Sequence, residues 1–122
     1  MDMVMASVAI CTQNRADSLA RTLESLCAMR CVPASEYEVV VVDNGSTDHT
    51  AKVCNEFAAR LPIRYFFEEQ RGLSVARNRA IREARGRYIC WTDDDVTVGP
   101  GWLHAYQTSF AKQHSSPLRS GM

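Results

Sequence analysis

Hydrophobic positions along this chain alternate between two periods, one of a strand and one of a helix. Val4 to Cys11 is an apolar, β-prone run, and the polar residues Thr12 to Arg15 break it. This predicts a first strand and its exit loop. Leu19, Leu23, Leu26 and Cys27 then recur on one helical face, with Asp17 the candidate N-cap and Pro33 lying beyond the end. Glu38 to Val42 contains a run of four valines, the pattern of a strand covered on both faces. The turn Asp43 to Asp48 follows, with Gly45 for tight backbone and Ser46 or Thr47 as the next N-cap. Val53, Cys54, Phe57, Ala58 and Leu61 form a second helical stripe, closed by Pro62, and Ile63 to Phe67 predicts a third strand. A third helix would turn Leu73, Ala76, Ala80, Ile81 and Ala84 inward and its arginines outward, ending at Gly86. Tyr88 to Thr92 is the fourth strand, and Gly99 to Gly101 leads into a last helix carrying Trp102, Leu103, Tyr106 and Phe110.

Successive strand-then-helix units predict a parallel sheet covered by helices with right-handed crossovers, a Rossmann-like three-layer α/β/α fold. In such a sheet the exits of strands one, two and four (Thr12 to Arg15, Asp43 to Asp48, Asp93 to Asp95) share one edge. Ligands of open parallel sheets bind at that edge. One domain is expected over residues 1–110, and the polar, aperiodic residues 111–122 read as a disordered tail.

Composition changes this picture little. The 122 residues are 46% hydrophobic and 23% charged, as in an ordinary globular domain. Basic and acidic residues balance at 14 each, which gives no field for nucleic acid or an anionic membrane. The charge is uneven, however: residues 71–87 hold six arginines against one acid, Glu83. Cys11, Cys27, Cys31, Cys54 and Cys90 make an odd set with no C-x-x-C pair, and His49, His104 and His114 are not spaced with them as zinc ligands. Buried thiols in a reducing compartment are expected. The N-terminus lacks the basic and apolar regions of a signal peptide, and no run approaches the ~20 apolar residues of a membrane span. A cytoplasmic location is expected.

The candidate chemistry centres on Asp93, Asp94 and Asp95. Adjacent like charges are costly unless something neutralises them. One reading is a hard divalent cation, held by one or two carboxylates and completed by water and phosphates. The other is a solvated acidic turn. Asp43 stands likewise between a hydrogen-bond acceptor for a base or ribose and an Asx-turn into a helix. Arg15, Arg71 and Arg77 are able to counter a diphosphate, or to form a solvated helix face. Arg79, Arg82, Arg85 and Arg87, further from the loops, read as solvated surface. Trp91 and Trp102 read as core, with Trp102 the better candidate for a ligand wall. No Ser-His-Asp set and no glycine-rich phosphate loop of either common pattern is present.

Four blocks together carry a resemblance: Ser7 to Arg15 (SVAICTQNR), Val40 to Asp48 (VVVDNGSTD), Arg71 to Arg79 (RGLSVARNR) and Tyr88 to Asp95 (YICWTDDD). In order and spacing they resemble the N-terminal, nucleotide-sugar-binding half of a family-two glycosyltransferase, over about residues 4–110. The resemblance implies a GT-A fold with strand order 3-2-1-4, a nucleotide-diphosphate sugar donor (a UDP-sugar first), Mg²⁺ or Mn²⁺, and transfer with inversion. It further implies that Thr12, Asn14 and Arg15 line the nucleotide pocket and that Asp43 contacts the base. Arg71, Arg77 and Asn78 would belong to the donor-binding loop and helix. Asp93 and Asp95 would bracket the Asp-x-Asp signature. Asp95 would be the principal metal ligand, Asp93 a metal ligand also contacting the ribose or sugar, and Asp94 part of the substrate site.

Family members continue for about another hundred residues, which supply the acceptor half and the general base. The chain therefore reads as a truncated form with no catalytic base of its own, poorly active, its acceptor unknown. Self-association through the open sheet edge and peripheral membrane association are both compatible with it. A non-catalytic nucleotide- or metal-binding module is the alternative of a different class. A phospho-receiver domain would need a lysine at a later strand end, but Lys52 and Lys112 lie in helical stretches.

Overall fold

A computed structural model describes residues 4–29 and 33–105. Its elements run β1 (Ala6–Thr12), α1 (Ala16–Cys27), a 3₁₀ turn (Ala34–Glu36), β2 (Tyr37–Asp43), α2 (Thr50–Phe57), β3 (Ile63–Phe67), α3 (Leu73–Glu83) and β4 (Tyr88–Trp91). A helical turn follows at residues 102–105. The expected Tyr106 and Phe110, Cys31 and the tail 111–122 lie outside the described residues. Among those residues, no helix is long and apolar enough to cross a membrane.

The strands form one parallel sheet in the order β3-β2-β1-β4, in register Ala6↔Tyr37 and Ala6↔Tyr88 on either side of β1. The chain thus builds outward from β1 to β3, then crosses back over α3 to lay β4 on the far side of β1. That reversal is a topological switch point, where open α/β sheets form a crevice.

Alternation along β2 divides the core between two faces. Val39 and Val41 pack with Val8 and Ile10 against Leu19, Leu23 and Leu26 of α1 and Val53 and Phe57 of α2. Val40, Val42 and Ala9 face Ala76 and Ala80 of α3. The expected inward stripe of α3 is narrower than its sequence suggested. Leu73 is 61% and Ile81 54% exposed, because the small Ala76–Ala80 pair brings the helix close to the sheet. Ile81 is a further 100° around from Ala80, which carries it off that face.

At the edge opposite the strand exits, a polar cluster ties four elements together. The buried carboxylate of Glu38 accepts from Ser7 Oγ (2.6 Å), Arg64 Nη1 (2.9 Å) and the Arg85 backbone N–H (2.6 Å). Gly86 N–H donates to Ser7 Oγ at 2.8 Å. A Cβ at Gly86 would lie 2.6 Å from the Ser7 backbone nitrogen, so only glycine allows this approach.

Candidate functional site

The strand exits are fixed to one another by short polar side chains. Asn14, at φ 53°, adopts the left-handed conformation that Asn tolerates. Its Oδ1 accepts from Thr47 N–H (2.8 Å) and Asp48 N–H (3.3 Å), and its own N–H donates to Ser46 Oγ (2.8 Å). Asp48 caps two helices at once: Oδ2 accepts from Ala16 N–H at 3.1 Å and Oδ1 from Thr50 N–H at 3.0 Å. Neither Asp17 nor Ser46 nor Thr47 is the cap, contrary to expectation. The convergence of two loops puts one carboxylate between both helix starts, and the positive helix ends favour it there.

A bond from the Thr50 hydroxyl to Oδ1 leads the causes holding the Asp48 carboxyl below its ordinary value of 3.8, followed by the Ala16 and Thr50 N–H bonds. A depressed carboxyl stabilises the fold above its unfolded value, and that contribution is lost as pH falls through the folded one. Asp48→Asn should therefore lower stability at pH 7 and flatten the acid side of the stability profile below about pH 4. Thermal melts between pH 2.5 and 7 would read this. Parallel profiles for the two proteins would contradict it.

Asn44 fastens the loop before α3. Its Nδ2 donates to the carbonyls of Glu68 (3.2 Å) and Gln70 (2.9 Å), and its Oδ1 accepts from Gly72 N–H (3.0 Å). Gly72 (φ 132°) and Gly45 (φ 89°) both require glycine conformations. Arg71 lies over Gly45, where a Cβ would meet its Nε at 2.6 Å.

Between β1 and β4 these loops enclose a cleft of about 470 Å³. Cys11, Thr12, Gln13, Arg15 and Asn44 line it with Gly72, Leu73 and Ala76, together with Asp93, Asp94 and Asp95. Asp94 is buried and accepts from Thr12 Oγ1 at 2.8 Å. Arg15 Nη1 bridges Asp94 Oδ1 (3.4 Å) and Asp95 Oδ2 (3.2 Å). Asp93 and Asp95 are exposed. Burial raises the Cys11 thiol to about 11, Arg77 pulling it down and Asp94 pushing it up, which disfavours the thiolate at neutral pH.

The model of glycosyl transferase family 2 matches residues 7–116. The chain belongs to this family. Validoxylamine A glucosyltransferase of Streptomyces hygroscopicus subsp. jinggangensis is 39% identical over 88% of this family-2 chain. Chondroitin synthase of Escherichia coli is 35% identical over 86% of it. The chain spans 26% and 15% of their lengths, respectively. Among solved structures, S. aureus TarS in complex with UDP-GlcNAc superposes with TM-score 0.85 at 27% identity, covering 91% of this chain and 32% of TarS. A Pyrobaculum calidifontis mannosyltransferase in complex with GDP-Man and Mn²⁺ gives TM-score 0.70 at 31% identity, covering 75% of this chain and 28% of its own. These neighbours are GT-A glycosyltransferases, and this chain, with its sheet order 3-2-1-4 and Rossmann-like architecture, shares their fold.

Within this family-2 chain, the cleft brings together Thr12, Arg15, Asp93, Asp94 and Asp95 of the predicted site residues. Asn14, Asp43, Arg71, Arg77 and Asn78 lie outside its walls. Asp43 is 1% exposed and forms an Asx-type turn, Oδ1 accepting from Ser46 N–H at 2.9 Å, while Oδ2 accepts from Tyr65 Oη at 2.5 Å. Burial, then the Asp43 carboxylate, pushes the Tyr65 phenol well above its ordinary value. Arg77 and Asn78 are exposed on α3, and Arg77 stacks 5.5 Å from the Trp91 ring. Trp91 is 40% exposed rather than core, since it ends β4, an edge strand of the described sheet. Trp102 packs partly buried against the main core. Arg79 departs from the solvated surface expected of it, pairing with Glu68 and Glu83 at 3.0 Å each.

The pattern missed Tyr65, Asn44 and the double role of Asp48. Only Asn44 and Asp48 had a signal, as polar residues of the DNGSTD block.

Proposed function

We propose that this chain forms the donor-binding half of an inverting glycosyltransferase that uses a nucleotide-diphosphate sugar and a divalent cation. The observation that carries the reading is the cleft at the switch point, whose wall holds three consecutive carboxylates with Thr12 and Arg15 bonded directly to them. The relatives solved with UDP-GlcNAc and with GDP-Man and Mn²⁺ support a nucleotide sugar as occupant.

The donor set suits a hard cation. Among the described residues no three His, Cys, Asp or Glu side chains converge tightly enough to hold a metal alone. Magnesium and manganese sites of one or two carboxylates completed by substrate phosphates need no such cage. Asp95 would be the principal ligand with Asp93 beside it, both exposed toward the cleft. The bound cation would neutralise charge on the diphosphate as it leaves.

The chain's own groups do the rest. Thr12 and Arg15 hold Asp94 in place, and Asn14 keeps the first exit loop on the second. Asp43 would read the base from the end of β2, and Asp93 would reach the ribose or sugar. Arg71, Arg77 and Asn78 would face the diphosphate side of a bound donor from the α3 end. The acceptor site and general base would be supplied by the rest of a complete enzyme.

Calorimetry with UDP, GDP and dTDP, each with and without Mn²⁺, tests this. Nucleotide binding should require Mn²⁺ and fall at least about tenfold in Asp95→Ala, as loss of a coordinating group implies. Metal-independent binding that survives Asp95→Ala would point to a module with other chemistry.

A further inference from the structure

We propose that Arg15 is a built-in counter-ion that occupies the cation's place on Asp95 and must be displaced from it before a divalent ion binds. The inference rests on the proposed metal role of Asp95 and deepens it.

A single guanidinium nitrogen, Arg15 Nη1, lies 3.2 Å from Asp95 Oδ2 and 3.4 Å from Asp94 Oδ1. It therefore sits between two of the three consecutive carboxylates. Asp94 has a second partner in Thr12 Oγ1 at 2.8 Å, so it stays hydrogen-bonded and fixed if the arginine leaves. Asp95 is the exposed partner, and Arg15 is its ion-pair partner. The two side chains are 51% and 54% exposed, and ion pairs so exposed are weak and readily exchanged. Burial distinguishes the two carboxylates: Asp94 is anchored, Asp95 is available.

Backbone geometry makes the exchange inexpensive. Arg15 is the N-cap residue of α1, with φ −136° and ψ 47° and no side-chain capping bond. Its main chain is held by the Leu19 N–H donating to its carbonyl at 2.8 Å, while among the described residues the side chain bonds to the two carboxylates alone. A swing of the guanidinium therefore leaves the helix start intact. The head borders both the main cleft and a second hollow lined by Asn14, Ala16, Asp48 and His49. A cation arriving on Asp95 would release the guanidinium into the cleft, where a diphosphate offers it a better, bidentate partner. Arg15 would thus keep the triplet from self-repulsion before binding and pass its charge to the nucleotide afterward.

The signature is a change of opposite sign in two affinities. Arg15→Gln should bind Mn²⁺ alone roughly two- to fivefold tighter, the range that an exposed ion pair is worth. The same variant should bind UDP in the presence of Mn²⁺ more weakly, since one charge on the diphosphate is lost. Arg15→Lys should restore much of the competition with Mn²⁺ but not the full UDP affinity, because an ammonium lacks the planar fork. The binding of Mn²⁺ to the full 122-residue chain is read by electron paramagnetic resonance of free manganese, and UDP by calorimetry. A purely structural role would weaken both affinities together and would overturn the inference. So would Mn²⁺ binding that Asp95→Ala abolishes but Arg15→Gln leaves unchanged. If the unaltered chain bound no Mn²⁺, or Asp95→Ala left its Mn²⁺ binding intact, the metal reading of Asp95 would fall, and this inference with it.

Discussion

Replacing Glu38 with alanine is expected to cost about 3–5 kcal/mol of stability, the usual penalty for removing one partner of a buried charged network. Glu38 is 4% exposed, the second residue of β2, at the end away from the site. Its two oxygens serve three donors, from β1 (Ser7), β3 (Arg64) and the segment entering β4 (Arg85). Alanine would leave the Ser7 hydroxyl, the Arg85 N–H and one Arg64 donor without their acceptor at a part-buried site. Arg64 keeps the Glu83 carbonyl at 2.7 Å, which places the loss toward the lower end of that range. Ordinary domains are stable by only about 5–15 kcal/mol in total, so the variant should unfold at much lower urea.

Glu38→Gln keeps the shape but turns one acceptor into a donor facing N–H or O–H groups. It should cost less, about 1.5–3 kcal/mol, as for hydrogen bonds to charged groups. Glu24 pairs with Arg60 in the open, so Glu24→Ala should barely move the midpoint. Urea unfolding of the three variants makes the comparison. A Glu38→Ala midpoint equal to that of Glu24→Ala would mean that water replaces the carboxylate without penalty.

The second large effect is expected at Asp43, where stability and base preference should separate. Asp43→Ala strips acceptors from the Tyr65 hydroxyl and the Ser46 N–H. Each donor left unpaired costs about 1–3 kcal/mol, so the two together cost about 2–6 kcal/mol, toward the lower end because both bonds are part-buried. Tyr65→Phe leaves the buried Asp43 Oδ2 without its donor and should cost about 1–3 kcal/mol. Asp43→Asn keeps the turn and exchanges part of the acceptor pattern for a donor. If Asp43 reads the base, that variant should shift the ratio of UDP to GDP affinity while stability falls only modestly. An unchanged ratio in calorimetry, together with the stability loss in Asp43→Ala, would leave Asp43 as a turn residue alone.

The architecture was legible in the sequence because the burial pattern is local. The run Val39 to Val42 predicts a strand covered on both faces, and the structure divides those residues between two cores. Leucines at helical spacing gave α1 its inward face. A strand-then-helix alternation dictates parallel pairing, and parallel pairing brings the exits of β1, β2 and β4 to one edge. The acidic triplet and the first exit loop could therefore be assigned to one site before any coordinates.

What the pattern could not give is partnership across the sheet. Asp48 caps a helix 32 residues earlier, Arg15 reaches carboxylates about 80 residues away, and Tyr65 meets Asp43 across a β2–β3 register. Each of those contacts depends on strand register and loop path, which periodicity within one element does not carry. The face of α3 was misjudged for the same reason. Ala76 and Ala80 admit the helix close to Val40 and Val42, and Leu73 and Ile81 are left in solvent. An amino-acid run specifies which side of an element avoids water, because that depends on its own residues. Which charged group meets which is decided only when the elements are docked, because a hydrogen bond needs its partner within about 3 Å.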